Sequence, residues 1–253
     1  MMPPALELID VRKRYGGTDI LCGVNLCIPQ GQRCVIIGPN GAGKSSLFNL
    51  ISGRHAPDAG DIRLHGKSIS GLRPYRISRM GLARSFQLSH IFSHLSVFEN
   101  LQCAVLAQRG DRYAFWRGAN SILPVQKKVR EVLGQLGLQD RQAVLASALT
   151  YAEQRMLELG MTLAAEAQVL LLDEPTAGMD GAEAMRMVEL IRQVSTGRTL
   201  LMIEHDMDVV RELADHIAVL VDGRIIASDT PQRIVDNPLV RRLYLDAAGP
   251  VRD

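Results

Sequence analysis

The chain has 253 residues, of which 47% are hydrophobic and 22% charged, a balance that supports a packed core and excludes a disordered chain. Its formal net charge of +2 excludes nucleic-acid binding by bulk phosphate neutralisation. Rest beside an anionic membrane surface fits that charge without being required by it, and the length admits one large or two small domains. Cys22, Cys27, Cys34 and Cys103 form no C-x-x-C pair and no metal-ligand cluster, so buried thiols in a reducing cytosol are expected. The Met-Met-Pro-Pro-Ala-Leu-Glu start has no basic segment followed by an apolar one, so no signal peptide is expected. Apolar runs such as Val169–Leu172 end far short of a bilayer's width, so any membrane role is expected to come through a partner.

Taken in chain order, Leu6–Val11 and Ile20–Ile28 read as strands around a Gly16-Gly17 turn. Arg33–Ile37 is a compact β-branched strand, followed by a glycine-rich loop and a helix from Lys44 to Ile51. Gly60–Ser68 and Gly81–Gln87 read as strands flanking a short helix at Pro74–Arg79. Strand signals then vanish from Ser96 to Leu149, where Val125, Val129, Val132, Leu133 and Leu136 make a helical stripe. Alternation returns with helix Glu153–Ala165, strand Val169–Asp173, helix Gly181–Val194, strand Thr199–Glu204, helix Met207–Ala214 and strand Ile217–Val221. This order predicts an α/β fold with a mostly parallel sheet covered on both faces, and a helical block inserted between its halves.

Gly38-Pro39-Asn40-Gly41-Ala42-Gly43-Lys44-Ser45 is a complete G-x-x-x-x-G-K-S phosphate loop in its proper strand-to-helix setting. Its glycines free backbone N–H groups to curl around phosphate oxygens, and the helix N-terminus adds partial positive charge. Lys44 is expected to reach the β- and γ-phosphates and the Ser45 hydroxyl to ligate Mg²⁺, with Ser46 completing the loop. Val169–Leu172 carries Asp173-Glu174 to a strand's carboxyl end, where open α/β sheets bind ligands. Asp173 is expected to hold the Mg²⁺ shell and Glu174 to polarise the attacking water.

The ordered series Gly38–Ser45, Gln87, Leu149-Thr-Tyr-Ala-Glu-Gln-Arg155, Asp173-Glu174, Asp180 and His205 resembles the ABC ATPase domain over essentially the whole chain. The resemblance implies the P-loop NTPase fold, with an N-terminal antiparallel β part, core segments 1–88 and 159–253, and a helical subdomain at 89–158. It also implies ATP hydrolysis with Mg²⁺ by a head-to-tail dimer that sandwiches two ATP molecules. In it Tyr15 stacks on adenine, or is an ordinary edge-strand tyrosine. Gln87 touches Mg²⁺ and the attacking water, His205 contacts the γ-phosphate, and Asp180 lies at the subunit interface. His55, His65, His90, His94 and His216 have no comparable placement and read as structural or solvated.

The signature segment departs from the usual L-S-G-G-Q. Thr150 keeps the hydroxyl for the partner's γ-phosphate, Glu153 stands at the glutamine position, and Ala152 replaces a glycine of close approach. The added methyl is harmless if Ala152 already has helical φ and harmful if the approach is tight; reduced but measurable turnover is expected, rising on return to glycine.

Gly81–Asn100, the Tyr151–Glu158 form of the signature, Ile203-Glu-His-Asp-Met207 and the ending Val221–Tyr244 resemble branched-chain amino-acid importers and their urea and short-amide relatives. That resemblance implies permease subunits, a solute-binding protein, a second ATPase subunit (identical or similar), and a peripheral place on the cytoplasmic face of the membrane. No nucleic-acid partner is expected. Ile91, Phe92, Leu95, Val97 and Phe98 read either as an exposed apolar docking set for the permease or as core. Arg109-Gly-Asp-Arg-Tyr-Ala-Phe-Trp-Arg117 reads as a loop, or as a segment resting on lipid headgroups or on the partner. The alternatives are a lipopolysaccharide-export type ATPase, which keeps the glycine-rich signature, and a soluble ABC ATPase, which usually has two nucleotide domains or a long coiled coil.

Overall fold

The structure is a computed structural model that describes residues 3–85, 91–109 and 119–242. β1 (Leu6–Tyr15), β2 (Thr18–Ile28), β4 (Ala59–Leu64) and β5 (Lys67–Ser68) form an antiparallel sheet in the order β2-β1-β4-β5. β3 (Arg33–Ile37), β6 (Leu82–Arg84), β7 (Val169–Asp173), β8 (Thr199–Ile203), β9 (His216–Val221) and β10 (Arg224–Asp229) form the second sheet. Its order is β10-β9-β3-β8-β7-β6, and only the β9–β10 pairing is antiparallel.

Side-chain alternation along the parallel strands divides two cores. Cys34 and Ile36 of β3, with Val169 and Leu171 of β7, face the core shared with the antiparallel sheet and α1 (Lys44–Ile51). Val35, Ile37, Leu170 and Leu172 face the helical side. Burial on both faces is why these strands are uninterrupted apolar runs in the sequence.

On the helical side, α3 (Val97–Arg109), α4 (Ala119–Leu136) and α5 (Tyr151–Leu163) pack on one another. The stripe Val125, Val129, Val132, Leu133 and Leu136 is buried as its spacing predicts, together with Leu101 and Leu157, in the core that also holds Leu170 and Leu172. Residue 158 lies inside α5, so the helical block meets the sheet through a continuous helix. α2 (Pro74–Arg79) precedes β6, and α6 (Gly181–Val194) and α7 (Met207–Leu213) complete the alternation.

Four expectations are corrected. Of the four cysteines expected to be buried, Cys34 is, whereas Cys27 is exposed and Cys22 and Cys103 are half-buried, because Cys27 lies on the outward side of the alternating strand β2. β1 continues past Val11 to Tyr15, because Asp10 at φ 44° makes a bulge in the pairing with β2 instead of ending the strand. The single strand expected over Gly60–Ser68 is a hairpin, turned at His65 and Gly66 with φ 49° and 77°. The expected strands end at Val221, whereas the chain turns at Asp222-Gly223 into β10, then forms α8 (Pro231–Asp236) and α9 (Pro238–Val240).

Candidate functional site

The carboxyl ends of β3, β8 and β7 lie side by side, with Ile36 and Asp173 both in register with Ile203. The loops leaving these strands therefore converge on one edge, the position where open α/β sheets bind ligands. The Gly38–Ser45 loop leaves β3, Asp173-Glu174 closes β7, and Glu204-His205 follows β8.

The loop is held too close for larger residues. A Cβ on Gly38 would fall 2.0 Å from the Leu220 carbonyl oxygen. Gly43, at φ 101°, has the left-handed backbone that starts α1, and a Cβ there would meet Leu21 at 2.9 Å. Among the described residues no side chain caps α1 and no acid stands in its first turn, a helix start whose leading N–H groups suit an anion. Lys44 folds back and donates from Nζ to the carbonyls of Gly38 (2.7 Å) and Pro39 (2.9 Å). Burial pulls its ammonium below the usual lysine range, while Glu174 and Asp173 pull it back up. Asn40, Gly41 and Ser45 are exposed, Pro39 and Ser46 half-buried, and Ala42 buried with its carbonyl accepting from the Gly223 N–H at 3.1 Å.

Asp173 is buried and accepts at Oδ2 from Arg84 Nη2 at 3.0 Å. Burial pushes its carboxyl above the usual range, and Arg84 opposes that rise. Its Oδ1 is buried and, among the described residues, has no hydrogen-bond partner. One orphaned carboxylate oxygen and the Ser45 hydroxyl suit Mg²⁺, which binds few protein ligands and completes its octahedron with phosphate and water. The described residues contain no group of three His, Cys, Asp or Glu placed to hold a metal by themselves.

Glu174 is half-buried with φ 47°, a left-handed conformation that a non-glycine residue adopts at a cost, and its N–H donates to the Ile203 carbonyl at 3.0 Å. His205, in the loop after β8, is exposed, its Nδ1 3.7 Å from Glu204 Oε2. Glu204 itself is fully buried, and Thr176 and the N–H groups of His205 and Asp206 donate to its carboxylate.

Thr150 caps α5 in a reciprocal box: its Oγ1 accepts from the Glu153 N–H (3.2 Å) while its own N–H donates to Glu153 Oε2 (2.9 Å). The helix starts at Tyr151, two residues earlier than expected, so Ala152 lies within its first turn and is 8% exposed. Its methyl is thus turned into its own subunit. Asp180 caps α6 in a second box with Glu183. The Tyr151 hydroxyl donates to the Ala177 carbonyl at 3.0 Å, tying the signature turn to the loop that leads into Asp180.

Tyr15 sits at the β1–β2 hairpin, 38% exposed, its ring edge-on to His55 at 5.7 Å. Gln87 and the Gly110–Arg117 part of the extra segment lie outside the described residues. The expected docking set is largely core: Val97 is fully buried, Ile91 and Phe98 pack against the core, Leu95 is half-buried, and Phe92 stands out at 52% exposure. Sequence reasoning assigned no role to Arg84, Tyr151 or Glu204. A charge at the carboxyl end of an apolar strand was the available signal for each of Arg84 and Glu204.

The family model described as ABC transporter matches residues 21–177, which spans the loop, the acidic pair and the signature turn. The chain belongs to the ABC transporter family. It is 35% identical to the high-affinity branched-chain amino acid transport ATP-binding protein BraF of Pseudomonas aeruginosa, covering 98% of this chain and 100% of that one. It is equally 35% identical, with the same coverage, to LivG of Escherichia coli strain K12, which carries the same description. A nucleotide-free ATP-binding cassette from an ABC transporter superposes with a TM-score of 0.83 at 25% identity, over 95% of this chain and 98% of that one. The ADP conformation of an ABC-transporter cassette superposes with a TM-score of 0.82 at 26% identity, over 96% and 98%. The ABC ATPase is thus an ATP-binding, ATP-hydrolysing transporter subunit of the P-loop α/β fold. Such subunits are membrane-associated, and no helix among the described residues is long and apolar enough to cross a membrane.

Proposed function

We propose that the chain powers an importer of branched-chain amino acids or related small polar solutes, working peripherally at the cytoplasmic face of the membrane. The observation that carries this reading is the end-to-end identity with BraF and LivG, joined to a site whose loop, acids and histidine meet at one sheet edge. Its partners are permease subunits, a solute-binding protein and a second ATPase subunit, identical or similar. An apolar cavity of about 410 Å³, lined by Pro74, Tyr75, Ile77, Ala104, Met161 and Ala165, offers the permease a seat between α2 and the helical block. That block, residues 89–158, acts as the arm between the two core segments.

The convergence of the loops on one sheet edge supports the following division of labour. The loop from Gly38 to Ser46 wraps the triphosphate, and Lys44, now bonded to loop carbonyls, turns to its β- and γ-oxygens. Asp173 and Ser45, with Gln87, hold Mg²⁺, which when bound neutralises charge on the transferred phosphoryl group. Glu174 orients and polarises water, and His205 steadies the γ-phosphate from the neighbouring loop. Thr150, Ala152 and Glu153 at the head of α5 face the partner's nucleotide; the Thr150 oxygen caps the helix and leaves its proton to donate. Asp180 meets the partner subunit, and Tyr15 supplies a flat surface for adenine.

The test uses the chain with its permeases in proteoliposomes. Glu174→Gln is expected to abolish ATP-driven uptake of labelled leucine, isoleucine and valine while ATP-bound dimers accumulate. Uptake or hydrolysis at the wild-type rate by that variant would overturn the reading.

A further inference from the structure

Arg84 is absent from this division of labour, yet among the described residues it is the hydrogen-bond donor to the Asp173 carboxylate. The two side chains are 6% and 1% exposed, a buried ion pair. Nη1 donates to Asn49 Oδ1 at 2.8 Å and Ser52 Oγ at 2.9 Å, and Nη2 to Asp173 Oδ2 at 3.0 Å. The guanidinium carbon lies 5.5 Å from the centre of the Phe48 ring. The Ser52 hydroxyl donates to the Phe48 carbonyl at 2.8 Å, which leaves its oxygen to accept from Arg84.

The consequence is geometric. α1 begins at the phosphate loop with Ser45 in its first turn and ends against Ser52. One planar fork therefore links the far end of that helix to the last residue of β7. With Oδ2 engaged, the Asp173 carboxylate keeps one rotation, and its remaining oxygen is the orphaned Oδ1. Stability alone is a weak account of such a pair, since replacing a buried ion pair by apolar residues is often neutral or better.

We propose that Arg84 is the positioning residue of the metal site, holding Oδ2 so that Oδ1 is presented to Mg²⁺ in fixed relation to Ser45. This inference rests on Asp173 being the metal carboxylate. Loss of such an outer-shell partner typically weakens metal binding by about 10–100-fold. Lysine keeps the charge without the fork, so it cannot serve α1 and Asp173 together.

The experiment measures binding of trinitrophenyl-ATP to the purified full chain, in EDTA and across a Mg²⁺ titration, with circular dichroism to check folding. Arg84→Lys is expected to bind the analogue in EDTA as the wild type does, while the Mg²⁺ concentration at half-effect rises about tenfold or more. Asn49→Ala, which loosens the fork and keeps the charge, is expected to shift it in the same direction and serves alone if Arg84→Lys fails to fold. If Asp173→Asn moves the Mg²⁺ midpoint and these variants do not, the positioning role falls while the metal reading stands. If Asp173→Asn leaves the midpoint in place, both fall. Equal weakening in EDTA and in Mg²⁺ would make Arg84 a support of the loop alone and overturn the inference.

Discussion

Glu204→Gln is a one-atom change in a fully buried side chain, and its effect can be worked from four hydrogen bonds. Oε1 accepts from the Thr176 N–H at 3.3 Å and from the Thr176 hydroxyl; Oε2 accepts from the N–H of His205 at 2.9 Å and of Asp206 at 3.4 Å. An amide must turn its NH₂ toward one of these pairs. Facing His205 it strands two backbone N–H groups, which only donate. Facing Thr176 it strands one, because the hydroxyl can rotate and accept. The second arrangement costs less, about 1–3 kcal/mol for a single buried unsatisfied group. At about 2–4 °C per kcal/mol for a chain of this size, a loss of about 2 kcal/mol lowers Tm by about 4–8 °C. The same carboxylate joins the loop of Glu174 to the loop of His205, so kcat is expected to fall about ten- to a hundredfold, as displacement of reacting groups does. Nucleotide affinity, which we propose the Gly38–Ser46 loop sets, should hold. Thermal melts followed by circular dichroism and steady-state ATPase assays read both effects. A variant that melts with the wild type and turns over at the same rate would refute the idea that Glu204 staples the two loops.

Ala152→Gly is expected to cost about 1 kcal/mol of stability, the helix-propensity difference, and to leave kcat unchanged, because the methyl points inward from a helical backbone. A rise in turnover would restore the crowding explanation. Burial pushes the Cys34 thiol up to about 12. A raised folded value stabilises fully below the unfolded thiol's range of about 8.5, and the contribution is lost as pH climbs toward the folded value. The stability margin of wild type over Cys34→Ala, measured by urea unfolding from pH 8 to 11, should therefore shrink by up to about 1.4 kcal/mol per pH unit above pH 9. A constant margin would show that the thiol titrates as if exposed.

Much of this protein is determined by short-range rules that a sequence displays directly. The phosphate loop is legible because backbone access demands glycine at set intervals, and β3, β7 and β8 because burial on both faces leaves no polar interruption. The stripe from Val125 to Leu136 follows from helical period alone. What the tertiary structure decided depends on pairings between distant residues. Arg84 meets Asp173 across 89 positions, and Thr176 meets Glu204 across 28. The sequence shows such charges only as strand ends, since whether they are solvated or buried and paired depends on which strands lie side by side. The same holds for Val97 and Phe98, apolar by sequence and readable there either as a docking surface or as core. They were placed against the core by α3 packing on α4 and α5, a choice that composition leaves open because an apolar side chain serves either face equally well.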